Sequence, residues 1–221
     1  DLHSTGTLGV FIENGMTIFR LFAPRATEVS VTFFDNLSQP VLQTHALTRI
    51  DECLWEKVWP KDLHGWYYYY SVSGDNADNF SHFDPDFRIL DPYALAAVSR
   101  SGPGIVIDRK RLPHRDTSFH PPHWHDLVIM EAHVRDLVAR APLPLTRRER
   151  RGFSGVAKWL RSPDCYLRDI GVNAVELQPI QENDSSDPEE YHWGYMTCNF
   201  FAPASTYATQ PEDASQIAEF K

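Results

Sequence analysis

The sequence predicts an all-β sandwich followed by the opening strands and helices of a parallel α/β array. Three observations carry that prediction. From Thr7 to about Ser73 apolar residues recur with a period near two, in short runs broken by turn residues. Between Gly74 and His125 the pattern gives way to a long stretch rich in Asp, Asn, Ser, Pro and Gly, with one apolar island at Tyr93-Ala94-Leu95-Ala96-Ala97-Val98. Beyond Leu127 the order becomes strand, helix, glycine, strand, which is the pattern of a βαβ unit with a parallel pair.

Taken in order, the first region reads as five or six antiparallel strands, the clearest at 17–22, 28–34, 53–59 and 66–72. Glu13-Asn14-Gly15, Asp35-Asn36 and Leu63-His64-Gly65 separate them, residues that enter turns at little steric cost. On the last of these strands Trp66, Tyr68 and Tyr70 share one face and Tyr67 and Tyr69 the other, so one set packs inward and the other packs on a neighbour or meets solvent. In the second region a strand starts at Leu127, a single helix is expected from Phe153 to Ile170 with Gly171 just past its end, and a strand follows at 172–177. Another helix is expected to begin near Pro211-Glu212-Asp213-Ala214, with proline and acids in its first turn. Two parallel strands cannot cover both of their own faces, so the chain reads as a piece of a larger sheet.

The composition excludes several classes of function. At 221 residues with 42% hydrophobic and 23% charged side chains, the chain can bury a sizeable core. The formal charge of -9 repels a phosphate backbone, so no nucleic acid partner is expected. No apolar run is long enough to span a bilayer, and Asp1-Leu2-His3-Ser4 lacks the cationic start of a targeting segment. The three cysteines, Cys53, Cys165 and Cys198, form neither a CxxC pair nor an even set, which fits a reducing cytoplasm.

The strand after Leu127 is unusual. Glu131, His133 and Arg135 alternate with Met130, Ala132 and Val134, so an extended chain would put three ionisable side chains on one face. Glu176 and Gln178 repeat the oddity on the next strand. Buried charges persist only when paired, which predicts an interior network joining Arg135 or His133 to Glu131 or Glu176. That network could floor a catalytic cleft or simply set strand register. The oxygen-rich run Gln181-Glu182-Asn183-Asp184 reads either as an acidic solvated loop or as a calcium site using Glu182 and Asp184. His114, His120, His123 and His125 lack metal-ligand spacing and read as a linker.

Several segments carry a family resemblance. Residues Tyr191 to Pro203, YHWGYMTCNFFAP, resemble the WGYxxxNxFxP signature of debranching enzymes in glycoside hydrolase family 13, the α-amylase superfamily. Met196-Thr197 is the isoamylase flavour, where pullulanases usually carry Asp-Pro. Glu131 to Asp136 is similar to the family's first barrel strand, YExHVRxF, with Met130 in place of the usual Tyr, and Tyr166 to Pro179 is similar to its helix and second strand. Phe19 to Thr27 and Leu90-Asp91-Pro92-Tyr93-Ala94 resemble marks of the immunoglobulin-like carbohydrate-binding module family 48.

This resemblance implies an immunoglobulin-like sandwich at 1–118 and the N-terminal portion of a catalytic (β/α)8 TIM barrel at 119–221. It implies isoamylase-type hydrolysis of α-1,6 branch points in glycogen or starch, with α-glucan as the partner and two carboxylates doing the chemistry. Glucan branching or trehalose-forming catalysis, and a non-catalytic glucan-binding chain, are the alternatives. The family's catalytic acids lie on later barrel strands, beyond Lys221, so no catalytic residue is assigned and the chain alone is expected to be inactive. Tyr195 matches the family's aromatic that stacks on a sugar ring beside the cleaved bond, with Trp193 and His192 shaping the same wall.

Overall fold

The computed structural model describes residues 6–77, 82–114 and 117–221. The reading of Asp1 to Ser4 as lacking a targeting segment lies outside the described residues. The chain opens with a hairpin of β1 (Gly9–Glu13) and β2 (Met16–Phe22). Its two-residue turn puts Asn14 at φ 52 and Gly15 at φ 75, the left-handed pair whose twist matches antiparallel strands. β3 (Ala26–Phe34), β4 (Gln43–Ala46), β5 (Thr48–Arg49), β6 (Leu54–Trp59), β7 (Tyr67–Gly74) and β8 (Gly104–Ile105) follow. They form two antiparallel sheets of four strands, ordered β1-β2-β6-β5 and β4-β3-β7-β8.

The period-two pattern is what fills the space between the sheets. Val29, Val31 and Phe33 of β3 and Tyr68, Tyr70 and Val72 of β7 turn toward Phe19 and Leu21 of β2 and Trp55 of β6 in one buried cluster. Phe19 stacks on Phe33 at 5.6 Å with the rings nearly parallel, and Tyr68 meets Phe19 edge-on at 5.7 Å. The opposite face of β3 and β7 is also covered. Phe34, Tyr67 and Tyr69 lie under Ala96, Ile105, Ile107, Ala214 and Ile217. Neither aromatic face of β7 is therefore open to a sugar chain, and all four tyrosines at 67–70 serve packing.

The long polar connection carries more order than its composition implies. Ile89 exchanges both backbone hydrogen bonds with Tyr70, and the island at 93–98 buries Ala94, Ala96 and Ala97. Asp91 is fully buried between them: its carboxylate accepts from the Tyr68 hydroxyl at 2.8 Å and from the Tyr93 amide at 2.8 Å.

The second half begins at β9 (Ile129–Ala132), which pairs in parallel with β10 (Ala174–Leu177) with Glu131 opposite Glu176. Between them run α1 (Val134–Val138), α2 (Phe153–Arg161) and α3 (Tyr166–Asp169). The single helix expected from Phe153 to Ile170 is two, because Pro163 has no amide to continue the ladder and Ser162 turns extended. Gly171 does end the second at φ 80. β11 (Gln181–Asn183) and β12 (Thr197–Pro203) form an antiparallel pair. The helix expected at Pro211 begins as a 3-10 turn over Pro211–Asp213, and after Ala214 (φ 55) the α-helix α4 runs over Ser215–Phe220.

The predicted interior network is not formed. β9 stops at Ala132, His133 caps α1, and Arg135 lies inside the helix, so the alternation ends after Glu131. Glu131 and Glu176 sit side by side on an exposed face, and no ion pair joins Glu131, His133, Arg135 or Glu176 to one another among the described residues. Only the other face, Met130, Ala132, Val175 and Leu177, packs on Val134, Val156, Trp159 and Leu167.

Candidate functional site

The segment between β11 and β12 carries the three residues expected to form a sugar-binding wall, and it is tied down from beneath. His133 is buried at the start of α1. Its Nδ1 accepts the Arg135 amide at 3.1 Å, so the ring proton sits on Nε2. That Nε2 faces the His192 carbonyl at 2.9 Å and the Tyr207 hydroxyl oxygen at 3.0 Å. Burial pushes the Tyr207 phenol up to about 12, which keeps it a neutral partner.

His192 is held from its other side as well. Its Nε2 pairs with Asp184 Oδ1 at 2.8 Å, and its Nδ1 accepts the Gly194 amide at 3.0 Å. Arg135 points to the same segment, donating to the carbonyls of Glu189 and Glu190, while Tyr191 donates to Asp136 at 2.7 Å. His133 and Arg135 thus serve as anchors of this loop, a role the alternation argument missed because it assumed a strand where the chain turns into a helix.

Gly194 sets the shape of the exposed part. Its φ is 85 and a Cβ there would lie 2.3 Å from the Pro179 carbonyl, directly after β10. No side chain fits. The loop is thereby pressed onto the C-terminal end of the parallel pair, with Trp193 63% and Tyr195 59% exposed beside it. Gly194→Ala is expected to destabilise the chain by about 1 to 3 kcal/mol and to speed amide exchange across 191–196. An unchanged urea midpoint with unchanged exchange in that segment would contradict this.

The Gln181-to-Asp184 run is not a solvated loop. Glu182 is buried on β11, and its two oxygens accept from the Ser205 amide at 2.7 Å and the Ser205 hydroxyl at 2.9 Å. Burial raises its carboxyl to about 7. Asp184 turns instead to His192. The two carboxylates thus engage separate protein partners, Ser205 and His192. No group of three or more His, Cys, Asp or Glu is placed to hold a metal among the described residues.

Sequence reasoning takes Phe200, Phe201 and Tyr207, large aromatics in and just after the quoted motif, as packing residues. Tyr207 is buried against Phe153 and His133, but Phe200 is 71% exposed and Phe201 stacks at 5.0 Å on Tyr93 near the surface. It also passed over Asp91 and Asn199 as a pair. Asn199 of β12 donates to the Asp91 carbonyl at 3.0 Å, so the sandwich and the second half share one buried polar joint. The only prior signal was that both residues sit inside quoted motifs.

A groove of about 570 Å³ opens on the sandwich, floored by Leu21, Phe22, Phe83 and Phe87. No helix among the described residues is long and apolar enough to cross a membrane.

Residues 7–94, which hold most of this two-sheet sandwich, match the family model of carbohydrate-binding module 48, the isoamylase N-terminal domain. Over its length the chain is homologous to glycoside hydrolase family 13 debranching enzymes. It is 28% identical to a pullulanase of Bacillus subtilis (strain 168) over 96% of this chain and 30% of that protein. It is 32% identical to chloroplastic isoamylase 3 of Oryza sativa subsp. japonica over 64% of this chain and 21% of that protein. The solved structure of pullulanase type I from Bacillus subtilis str. 168 complexed with maltose matches 99% of this chain and 31% of its own, with 25% identity and a TM-score of 0.79. The chain therefore spans about a third or less of these relatives.

Proposed function

We propose that the protein to which this chain contributes is an α-1,6-glucan debranching hydrolase of isoamylase type, acting on glycogen or starch. On this reading residues 1–118 are the glucan-associated sandwich, and 119–221 open a (β/α)8 barrel. Three observations support the barrel: β9 and β10 are parallel, helices cover one face only, and Glu131 and Glu176 lie on the uncovered face. Met196 and Thr197 favour isoamylase over pullulanase specificity. The three cysteines are free, which fits the cytoplasmic location we assign.

The single observation that carries the reading is the display of Trp193 and Tyr195 at the C-terminal end of that parallel pair, with Gly194 locked against Pro179. Barrel enzymes place substrate at that end of their strands. A flat exposed ring held by a rigid turn can stack on the apolar face of a glucose unit at little entropic cost. His192, fixed by Asp184 and His133, orients the turn rather than presenting a free imidazole.

Titration with maltohexaose tests this. Tyr195→Ala is expected to weaken binding about 5- to 10-fold, the scale of one aromatic stacking contact. Equal affinity of the two proteins would remove Tyr195 from the substrate wall. The chain by itself is expected to leave pullulan and glycogen intact in a reducing-end assay, and sugar release by the purified chain would overturn that part of the proposal.

A further inference from the structure

A cavity of about 180 Å³ lies where the segment after Val98, the turn at 148–151 and the loop at 185–188 converge, and neither Trp193 nor Tyr195 lines it. Its charge is the reverse of the chain's. Arg100, Arg148 and Arg151 line it, within a protein of net charge -9.

The neutralisation of these guanidinium groups is incomplete. Arg100 Nη1 donates to the Asp184 carbonyl at 2.8 Å, and Arg148 Nη1 donates to the Thr209 carbonyl. A carbonyl oxygen carries no net charge, so both cations keep theirs. Arg151 pairs with Glu189, and that one carboxylate is shared with Arg147. Arg151 Nη1 is buried in contact with that carboxylate, so of the three only Arg151 faces a formal negative charge among the described residues. Of the other nearby acids, Asp187 turns to the Glu189 amide, Asp184 pairs with His192, and Glu182 is closed off by Ser205. Ser186 and Thr206 add hydroxyls to the same walls.

Each guanidinium offers five N–H donors in a planar fork, and Arg100 and Arg148 each give one Nη1 donor to a neutral carbonyl. Guanidinium groups on both sides of the cavity suit a phosphoryl group, which offers more oxygens and more charge than a carboxylate, and give a neutral sugar no matching charge. The volume admits a phosphoryl group with at most a small organic residue.

We propose that this cavity is a binding site for a phosphoryl anion, received as inorganic phosphate or as the phosphate of a hexose monophosphate. Binding there would draw together Arg100 from the sandwich side and Arg148 and Arg151 from the helical side, and so would stiffen the joint between the two halves. The proposal does not rest on the glucan reading.

The test is calorimetric titration of the intact chain with inorganic phosphate and with glucose 1-phosphate at fixed ionic strength, with glucose and sodium chloride as controls. Saturable binding of at least one phosphate compound is expected, weakened about tenfold or more in Arg148→Gln and in Arg100→Gln. These two arginines are exposed, so their replacement leaves the fold intact, which a thermal melt verifies. Equal affinity for the two ligands assigns the phosphoryl group alone, tighter glucose 1-phosphate assigns the sugar ring to the cavity too, and both uphold the site. Absence of saturable binding, or binding that both variants retain in full, would overturn it.

Discussion

Raising the pH from 4 to 7 is expected to destabilise the chain through two buried carboxyls. Burial raises Asp91 to about 6 from an ordinary 3.8, against the opposing hydrogen bonds of Tyr93 and Tyr68. It raises Glu182 to about 7 from 4.5, against those of Ser205. In each case the folded state holds its proton more tightly than the unfolded state. The stabilisation is fully present below the unfolded pKa and is lost as pH climbs through the folded one, so the windows run from 3.8 to about 6 for Asp91 and from 4.5 to about 7 for Glu182. Shifts of this size correspond to about 3 kcal/mol per group.

The variants Asp91→Asn and Glu182→Gln isolate the effect. An amide at 91 still accepts from the Tyr93 amide and can donate to the Tyr68 oxygen, so this site loses its titration without losing its partners. Each variant should flatten its own window in urea melts taken at half-unit pH steps. Glu149 works in the opposite sense. Hydrogen bonding from Lys158, and then from Thr146, holds it at about 2, so its contribution falls away only on acidification below 4.5. A wild-type profile that runs parallel to both variants between pH 4 and 7 would rule out the two carboxyls as its source.

Phe33→Ala is expected to cost about 3 to 5 kcal/mol, enough to consume much of the stability of an ordinary domain. Phe33 is completely buried between the sheets, stacked on Phe19 and met edge-on by Trp59 at 5.0 Å and Trp66 at 6.1 Å. Those rings are fixed by strands on both sides, so they cannot collapse into the space a methyl leaves. Phe200→Ala is the control, because its ring is exposed on β12 and its loss should change the urea midpoint little. Equal losses for the two substitutions would mean that the sandwich core is not packed as described.

The strands of the sandwich were legible because their signal is local. Alternation at 29–33 and 68–72 names the inward face of each strand without reference to any partner, and Asn14-Gly15 announces its hairpin by backbone sterics alone. The same logic failed at 131–135. Alternation there continues in the sequence, but the histidine side chain captures the Arg135 amide and starts a helix, a local competition that a pattern of polar and apolar letters does not encode. Pro163 was a readable stop, yet the apolar spacing on either side of it favoured one long helix.

The sequence by itself determined the two-part order of the fold, the inward aromatic stripe, and the motif in which Trp193, Gly194 and Tyr195 stand together. Each of these depends on residues within a few positions of one another. What only the tertiary structure decided is which polar groups meet: Asp91 with Tyr68 and Asn199, Glu182 with Ser205, His133 with Tyr207 and the His192 carbonyl. Those partners lie between 23 and 108 positions apart. Pairing across such distances is set by how sheets and helices dock, because a buried polar group must find its partner wherever packing delivers one.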